Sequence, residues 1–252
     1  MNEILSVEHL SKSFAGVRAV DDVSLKVMEG KIYGVIGPNG SGKSTLFNLI
    51  SGLLKPDTGK IYFLGERIDG LPPHQLYQKG LSRSFQIPTL FAKLRVVENM
   101  LVPPKGQKGE MVRYAPLQRI WAEQEKSFGE KASNIMNTLK ISSLYDSQAN
   151  SISGGQMKLL EIGRAMMSQP KLVLLDEPTA GIAPILAEQI FKTIHQICKT
   201  QNLTFMIIEH RYDILFEYAD YIFLLNEGKL VAEGSPTSLL NSQVLEQVYL
   251  GG

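Results

Sequence analysis

The chain has 252 residues, enough for one large domain or a domain with a subdomain, and enough to bury a sizeable core. Apolar residues make up 44% and charged residues 20%, and 26 Lys and Arg against 25 Asp and Glu leave a net charge of +1, so no global electrostatic argument for a nucleic-acid partner exists. A single cysteine, Cys198, excludes an internal disulfide and a cysteine-rich zinc site; it fits a reducing compartment, and in its helix-patterned stretch a small buried apolar role is expected.

Residues 1–6 carry no basic leader followed by an apolar core, so no signal peptide is expected. The longest apolar runs are about five residues, against the roughly 20 that a membrane-spanning helix needs, so the chain is not expected to cross a membrane by itself. Residues 4–10 and 23–27 alternate apolar and polar side chains, the signature of short half-buried strands. Glu29-Gly30 reads as a turn, residues 31–36 as a compact apolar strand, and residues 44–54 as a helix spaced by Leu46, Ile50 and Leu53.

The middle, about residues 88–169, carries almost no strand signal. Residues 97–102 and 121–139 look helical, Pro103-Pro104-Lys105-Gly106 reads as a loop, and the segment is expected to be a helical insertion. Residues 172–175 are a buried-strand candidate. Pro184 then opens a helix with Leu186, Ile190, Ile194 and Ile197 on one face, proline being well tolerated at a first helical position. Residues 204–208 and 221–225 are further buried strands, and Asn226-Glu227-Gly228-Lys229 a hairpin turn into residues 230–232. Strand and helix alternate around a sheet expected to be parallel, an α/β arrangement.

Three stretches carry chemistry. Gly37-Pro38-Asn39-Gly40-Ser41-Gly42-Lys43-Ser44-Thr45 fits G-x-x-x-x-G-K-[ST] between an expected strand and an expected helix. Its backbone N–H groups suit phosphate oxygens, Lys43 the β and γ phosphates, and the Ser44 hydroxyl Mg²⁺. Asp176 and Glu177 end the strand at 172–175. A carboxylate there suits a Mg²⁺ shell, and Glu177, where the backbone turns, can face a γ-phosphate as general base; taken alone, the two acids would read equally well as solvated loop carboxylates. Ser151-Ile152-Ser153-Gly154-Gly155-Gln156 opens another helix with Ser153 at the N-cap, a second anion-binding helix start or an ordinary capped helix.

In this order and spacing the motifs resemble those of ABC-type ATPases along nearly the full length. Gly37 to Thr45 resembles the Walker A loop, Leu172 to Glu177 the Walker B strand with its catalytic glutamate, and Ser153 to Gln156 the family signature, with Ile152 where leucine is usual. Gln86, in Ser84-Phe85-Gln86, is similar to the Q-loop glutamine that contacts Mg²⁺ and the attacking water. His210, after Ile207-Ile208-Glu209, is similar to the switch histidine at the γ-phosphate, and Phe14 to the aromatic that stacks on adenine. The resemblance implies a P-loop NTPase (RecA-like) core with an N-terminal antiparallel β part, over residues 1–87 and 168–252, and a helical subdomain over 88–167. It implies ATP and Mg²⁺ as cofactors, and a head-to-tail dimer with a second ABC ATPase subunit, homo- or heteromeric, in which each ATP meets the signature of the other chain. It also implies membrane permease subunits, indirectly a substrate-binding protein, no nucleic acid, and a peripheral place on the cytoplasmic face of the inner membrane.

One position departs from the family. Ala183 stands where an aspartate or asparagine usually helps couple the two sites. Gly80-Leu81-Ser82-Arg83-Ser84-Phe85-Gln86, the run from Thr89-Leu90-Phe91 to Val96-Val97-Glu98-Asn99, and the tail from Glu233-Gly234-Ser235-Pro236 to Val248-Tyr249-Leu250-Gly251 resemble the ATPases of branched-chain amino acid importers. Relatives in that group handle hydrophobic amino acids, amides or urea. Neighbouring branches share these motifs, the lipopolysaccharide-export ATPase among them. Soluble ABC ATPases of DNA repair carry coiled coils or zinc cysteines, translation factors usually carry two cassettes, and a kinase with a phosphate loop would lack Ser153 to Gln156.

Overall fold

The computed structural model describes residues 2–84 and 90–250. The chain divides into two compact units, Met1–Gln86 with Lys171–Gly252, and Ile87–Pro170. In the first unit β1 (Glu3–Phe14) and β2 (Val17–Met28) form an antiparallel hairpin around Ala15 and Gly16, both at positive φ. Each strand is 12 residues long, not short as the alternation suggested. Register shifts between Val7 and Leu10, Leu10 and Lys12, and Lys12 and Ser13 break the period-2 pattern, so the sequence displays only the regular part of each strand.

β3 (Ile32–Ile36) is buried along its whole length and feeds the glycine-rich loop, after which α1 (Lys43–Ile50) begins. This helix stops earlier than its apolar spacing predicts. Gly52, at φ 72°, turns the chain out of the helix just after Ser51, whose hydroxyl donates to the Phe47 carbonyl at 2.7 Å, leaving Leu53 exposed beyond the helix. β4 (Thr58–Phe63), β5 (Glu66–Arg67), α2 (Pro73–Lys79) and β6 (Leu81–Arg83) follow, in a stretch where no periodicity announces an element. These pieces are short, and β4 and β5 are joined by a tight turn through Leu64 and Gly65 at positive φ, so none spans enough residues to show a period. β2, β1, β4 and β5 lie in that order in an antiparallel sheet.

The second unit is helical. Its α3 (Val96–Leu101), α4 (Gln118–Thr138) and α5 (Gly154–Met167) pack on one another, and among its described residues the β pairing is one bridge, Arg95 to Gln148. α4 buries only Ala132, Ile135 and Met136, the narrow stripe of a helix covering a small core.

Back in the first unit, β7 (Leu172–Asp176), α6 (Pro184–Gln201), β8 (Thr204–Ile208), α7 (Tyr212–Tyr218), β9 (Tyr221–Asn226), β10 (Lys229–Gly234), α8 (Pro236–Leu240) and α9 (Gln243–Leu250) complete the chain. The central sheet runs β10-β9-β3-β8-β7-β6, parallel except for the β10 edge. β3, β7 and β8 are buried at every residue, the near-continuous apolar burial of a parallel sheet covered on both faces. Each fully buried Leu or Val there contributes about 1.5–3 kcal/mol. On α6 the buried face is Ala187, Ile190, Phe191, Ile194, Ile197 and Cys198, with the expected Leu186 only half-buried. Burial pushes the Cys198 thiol up to about 11, in keeping with a packing role. Among the described residues no helix is long and apolar enough to cross a membrane. The architecture is α/β: a P-loop-type sheet and an antiparallel β part in one unit, helices in the other.

Candidate functional site

The loop from β3 to α1 is shaped by two glycines. A Cβ on Gly37 would lie 2.1 Å from the Leu225 carbonyl oxygen, and one on Gly42 would lie 2.2 Å from that of Ala19. Both glycines have positive φ, 148° and 98°, so only glycine lets the loop lie against these two backbone walls. Gly42 is the N-cap of α1 and supplies no side chain to the first N–H groups of the helix. Those donors are therefore available to an external acceptor, and the helix dipole favours an anion there. The loop is held from outside by the Gly228 N–H, which donates to the Ser41 carbonyl at 3.2 Å.

Lys43 is buried and folds back on its own loop. Its ammonium donates to the Gly37 and Pro38 carbonyls, each at 2.8 Å. Burial lowers its pKa, while the charges of Glu177 and Asp176 act in the opposite direction. A cavity of about 310 Å³ opens here, lined by Ala19, Asn39, Gly40, Ser41, Gly42, Lys43, Ser44, Thr45, Glu177 and His210. Thus the phosphate-type loop, the strand-end glutamate and the histidine, far apart in sequence, share one cleft.

Glu177 sits just past β7 with φ 48°, a left-handed turn that reverses the strand's alternation. Its N–H donates to the Ile208 carbonyl at 2.9 Å, which pins the turn to β8. Its carboxylate Oε1 lies 2.9 Å from Nε2 of His210. Asp176, the last residue of β7, is buried and takes Nη2 of Arg83 at 3.1 Å. Arg83 also donates through Nη1 to Asn48 Oδ1 at 2.7 Å and Ser51 Oγ at 2.8 Å. Burial lowers the Arg83 pKa and Asp176 counters it. Removing one partner of such a buried pair typically costs about 3–5 kcal/mol.

Two supporting residues escaped the reading of the sequence. One is Arg83. The other is Glu209, buried at 3% exposure, whose Oε1 accepts from the N–H and hydroxyl of Thr179 at 2.9 and 2.6 Å and whose Oε2 accepts from the N–H of His210 at 3.2 Å. It ties the segment after Glu177 to the segment carrying His210. The only signal in the sequence was its place beside His210, at the end of an apolar strand.

The remaining predicted residues are placed as follows. Phe14 ends β1 with its ring 44% exposed and Nζ of Lys12 at 5.7 Å from the ring centroid; it does not line the cavity. Gln86 lies outside the described residues. Ser153, Gly154, Gly155 and Gln156 belong to the second unit, where Ser153 is the N-cap of α5 in a capping box. The Gln156 N–H donates to the Ser153 hydroxyl at 3.4 Å and the Ser153 N–H donates to Oε1 of Gln156 at 2.8 Å. Ala183 is the N-cap of α6 without a side-chain acceptor, where an aspartate would supply one, and Pro184 at the first position removes one of the donors needing it.

The donor set suits Mg²⁺. The Ser44 hydroxyl and Asp176 carboxylate are hard oxygen donors of the kind Mg²⁺ takes in small number beside phosphates and water. Among the described residues no cluster of three or more His, Cys, Asp or Glu builds an all-protein metal cage.

Residues 20–180 match the ABC transporter family model. The chain is 42% identical over 249 residues to the "Probable branched-chain amino acid transport ATP-binding protein LivG" of Archaeoglobus fulgidus, covering 99% of this chain and 96% of that protein. It is likewise 42% identical over 253 residues to the protein of the same name from Methanocaldococcus jannaschii, covering 99% and 98%. Among solved structures, the ADP conformation of an ATP-binding cassette of an ABC transporter superposes with a TM-score of 0.86 at 41% identity, covering 100% of both chains. Family match, full-length relatives and a cleft built on Lys43, Glu177 and His210 agree: the chain belongs to the ABC transporter family, as an ATP-binding and ATP-hydrolysing subunit of the kind found in branched-chain amino acid transporters.

Proposed function

We propose that this subunit powers the import of a small solute of the branched-chain or hydrophobic amino acid class, or a related amide or urea. The observation that carries the solute class is the 42% identity to LivG-named relatives along 99% of the chain. In this reading the α1 start binds the phosphates of ATP through backbone N–H groups, and Lys43 leaves the Gly37 and Pro38 carbonyls for the β and γ phosphates. Phe14 stacks on adenine. Ser44, Asp176 and Gln86 would hold Mg²⁺, which would supply positive charge to neutralise the charge developing on the phosphates. Glu177 orients the attacking water and accepts its proton as general base. His210, already 2.9 Å from Glu177, contacts the γ-phosphate and keeps the carboxylate aimed into the cleft.

Ser153, Gly154, Gly155 and Gln156 serve the ATP of a second cassette in a head-to-tail dimer. Membrane permease subunits, served by a substrate-binding protein, hold the pair at the cytoplasmic face of the inner membrane. The permease docks on the apolar residues after Gln86. These are Ile87, Pro88, Leu90, Phe91 and Leu94: Ile87 and Pro88 lie outside the described residues and Leu90 is half-buried, whereas Phe91 is 48% exposed and Leu94 37% exposed, which favours a docking role for those two. Arg164 lies over the Phe91 ring at 5.3 Å and Asn99 Oδ1 accepts from the Phe91 N–H at 2.9 Å, so the ring is presented from a fixed backbone.

The test is reconstitution with permease subunits. Uptake of labelled leucine is expected with the intact chain. In Phe91→Glu, ATPase activity of the isolated subunit is expected to survive while recovery with the permease and uptake fall. Unchanged transport in that variant would move the docking surface elsewhere, and uptake of a different solute would replace the solute class.

A further inference from the structure

The metal-side residues of the cleft come from separate pieces of chain, and one buried side chain joins them. Arg83 ends β6, next to β7 in the parallel sheet, with the Ser84 N–H donating to the Leu174 carbonyl at 2.9 Å. Its guanidinium reaches Asp176 Oδ2 at 3.1 Å on one side, and Asn48 Oδ1 and Ser51 Oγ at 2.7 and 2.8 Å on the other. It also lies over the Phe47 ring, 5.8 Å from the centroid. Asn48 stands four residues after Ser44, on the same face of α1. Gln86 is three residues after Arg83 in the chain. The Arg83 and Asp176 side chains are 8% and 10% exposed, so this is an interior connection and not a surface ion pair.

From this geometry we infer that Arg83 is a positioning residue for the Mg²⁺ site: its planar fork fixes the Asp176 carboxylate relative to the helix that carries Ser44. The inference rests on the reading of Ser44 and Asp176 as the metal-side ligands. Arg83 donates to Oδ2, so in this reading Oδ1 is the oxygen that would serve the metal's water shell. The fork matters more than the charge. A cation beside a metal-binding carboxylate repels the metal, so if charge were its main effect, removing Arg83 would tighten Mg²⁺ binding. If positioning dominates, even a charge-conserving change loosens it, because lysine presents one point charge where arginine joins three acceptors on two elements.

The experiment measures ATP binding to the isolated chain at equilibrium, in EDTA and across a Mg²⁺ titration, for wild type, Arg83→Lys, Arg83→Met and Asp176→Asn. Arg83→Lys is expected to raise the Mg²⁺ concentration needed for half-maximal effect about tenfold, as loss of an outer-shell partner does at other metal sites. Affinity for ATP in EDTA is expected to stay at the wild-type level, which a general loss of folding would not allow. If Arg83→Lys or Arg83→Met does not fold, Asn48→Ala and Ser51→Ala each remove one anchor and are expected to shift the Mg²⁺ requirement in the same direction by less. An unshifted Mg²⁺ requirement in Arg83→Lys or in the anchor variants, or a tightened one in Arg83→Met, overturns the inference. Asp176→Asn separates the two readings: if it leaves the Mg²⁺ requirement unchanged, the ligand assignment falls; if it shifts the requirement and the Arg83 and anchor variants do not, only the positioning role falls.

Discussion

Two helix starts on this chain look alike in composition, both small and glycine-rich, yet they are built in opposite ways. α1 opens on Gly42 in a left-handed conformation with no side-chain cap, and its lysine is parked on loop carbonyls. α5 opens on Ser153 with a reciprocal capping box, so the Gln156 N–H and the Ser153 N–H each have a side-chain partner. An uncapped helix start inside a walled cleft offers its first N–H groups and the positive end of the helix dipole to an anion. A capped one is a stable helix whose serine oxygen accepts from the Gln156 N–H while its O–H is still able to donate. The 3.4 Å bond from the Gln156 N–H to Ser153 is the weaker half of that box, and the 2.8 Å bond from the Ser153 N–H to Gln156 Oε1 the stronger. In the proposed function, ATP capture by the isolated chain falls to the first unit, whose α1 start lines the cavity with Lys43.

The comparison is sharpened most by separating capture from hydrolysis. Glu177→Gln keeps the shape of the cleft and removes the base, so turnover is expected to fall by about 10²–10⁴ while ATP still binds. Steady-state phosphate release alongside an ATP-binding isotherm reads both. Wild-type turnover would remove Glu177 from the role, and loss of binding would make it part of the phosphate site. A smaller effect is expected at the base end of the nucleotide. Phe14 is partly exposed and held only from one side by Lys12, so stacking there belongs at the low end of the about 1–3 kcal/mol typical per base, roughly a fivefold loss of ATP affinity in Phe14→Ala. An unchanged affinity for ATP would place the adenine elsewhere.

How much of this could be read beforehand follows from sequence distance. The phosphate loop, the strand end at Asp176 and Glu177 and the N-cap at Ser153 were legible because each is a local pattern in which a few adjacent residues specify both conformation and chemistry. The 12-residue strands of the hairpin were visible only in part, since register shifts scramble the alternation that a reader relies on. The end of α1 differs from its apolar spacing because Leu53 keeps helical spacing although Gly52, at φ 72°, has already turned the chain out of the helix. Arg83 was invisible as a site residue because its partner lies 93 positions away, and the three-residue strand that brings them together has no period of its own. Glu209 was hidden by its neighbour: beside His210 it reads as one more strand-end acid, and only its burial against Thr179 reveals the tie.

The proposed function has the α1 start and Lys43, which line the cavity, capture ATP in the isolated chain without Ser153, and ATP affinity of the isolated, monomeric chain tests it most directly. Lys43→Ala removes charge-assisted hydrogen bonds worth about 1.5–3 kcal/mol and is expected to weaken binding roughly ten- to a hundredfold. Ser153→Ala is expected to leave the affinity of the same monomer at the wild-type value. Equal affinity in Lys43→Ala and wild type, or an equal loss in Ser153→Ala and Lys43→Ala, would contradict it.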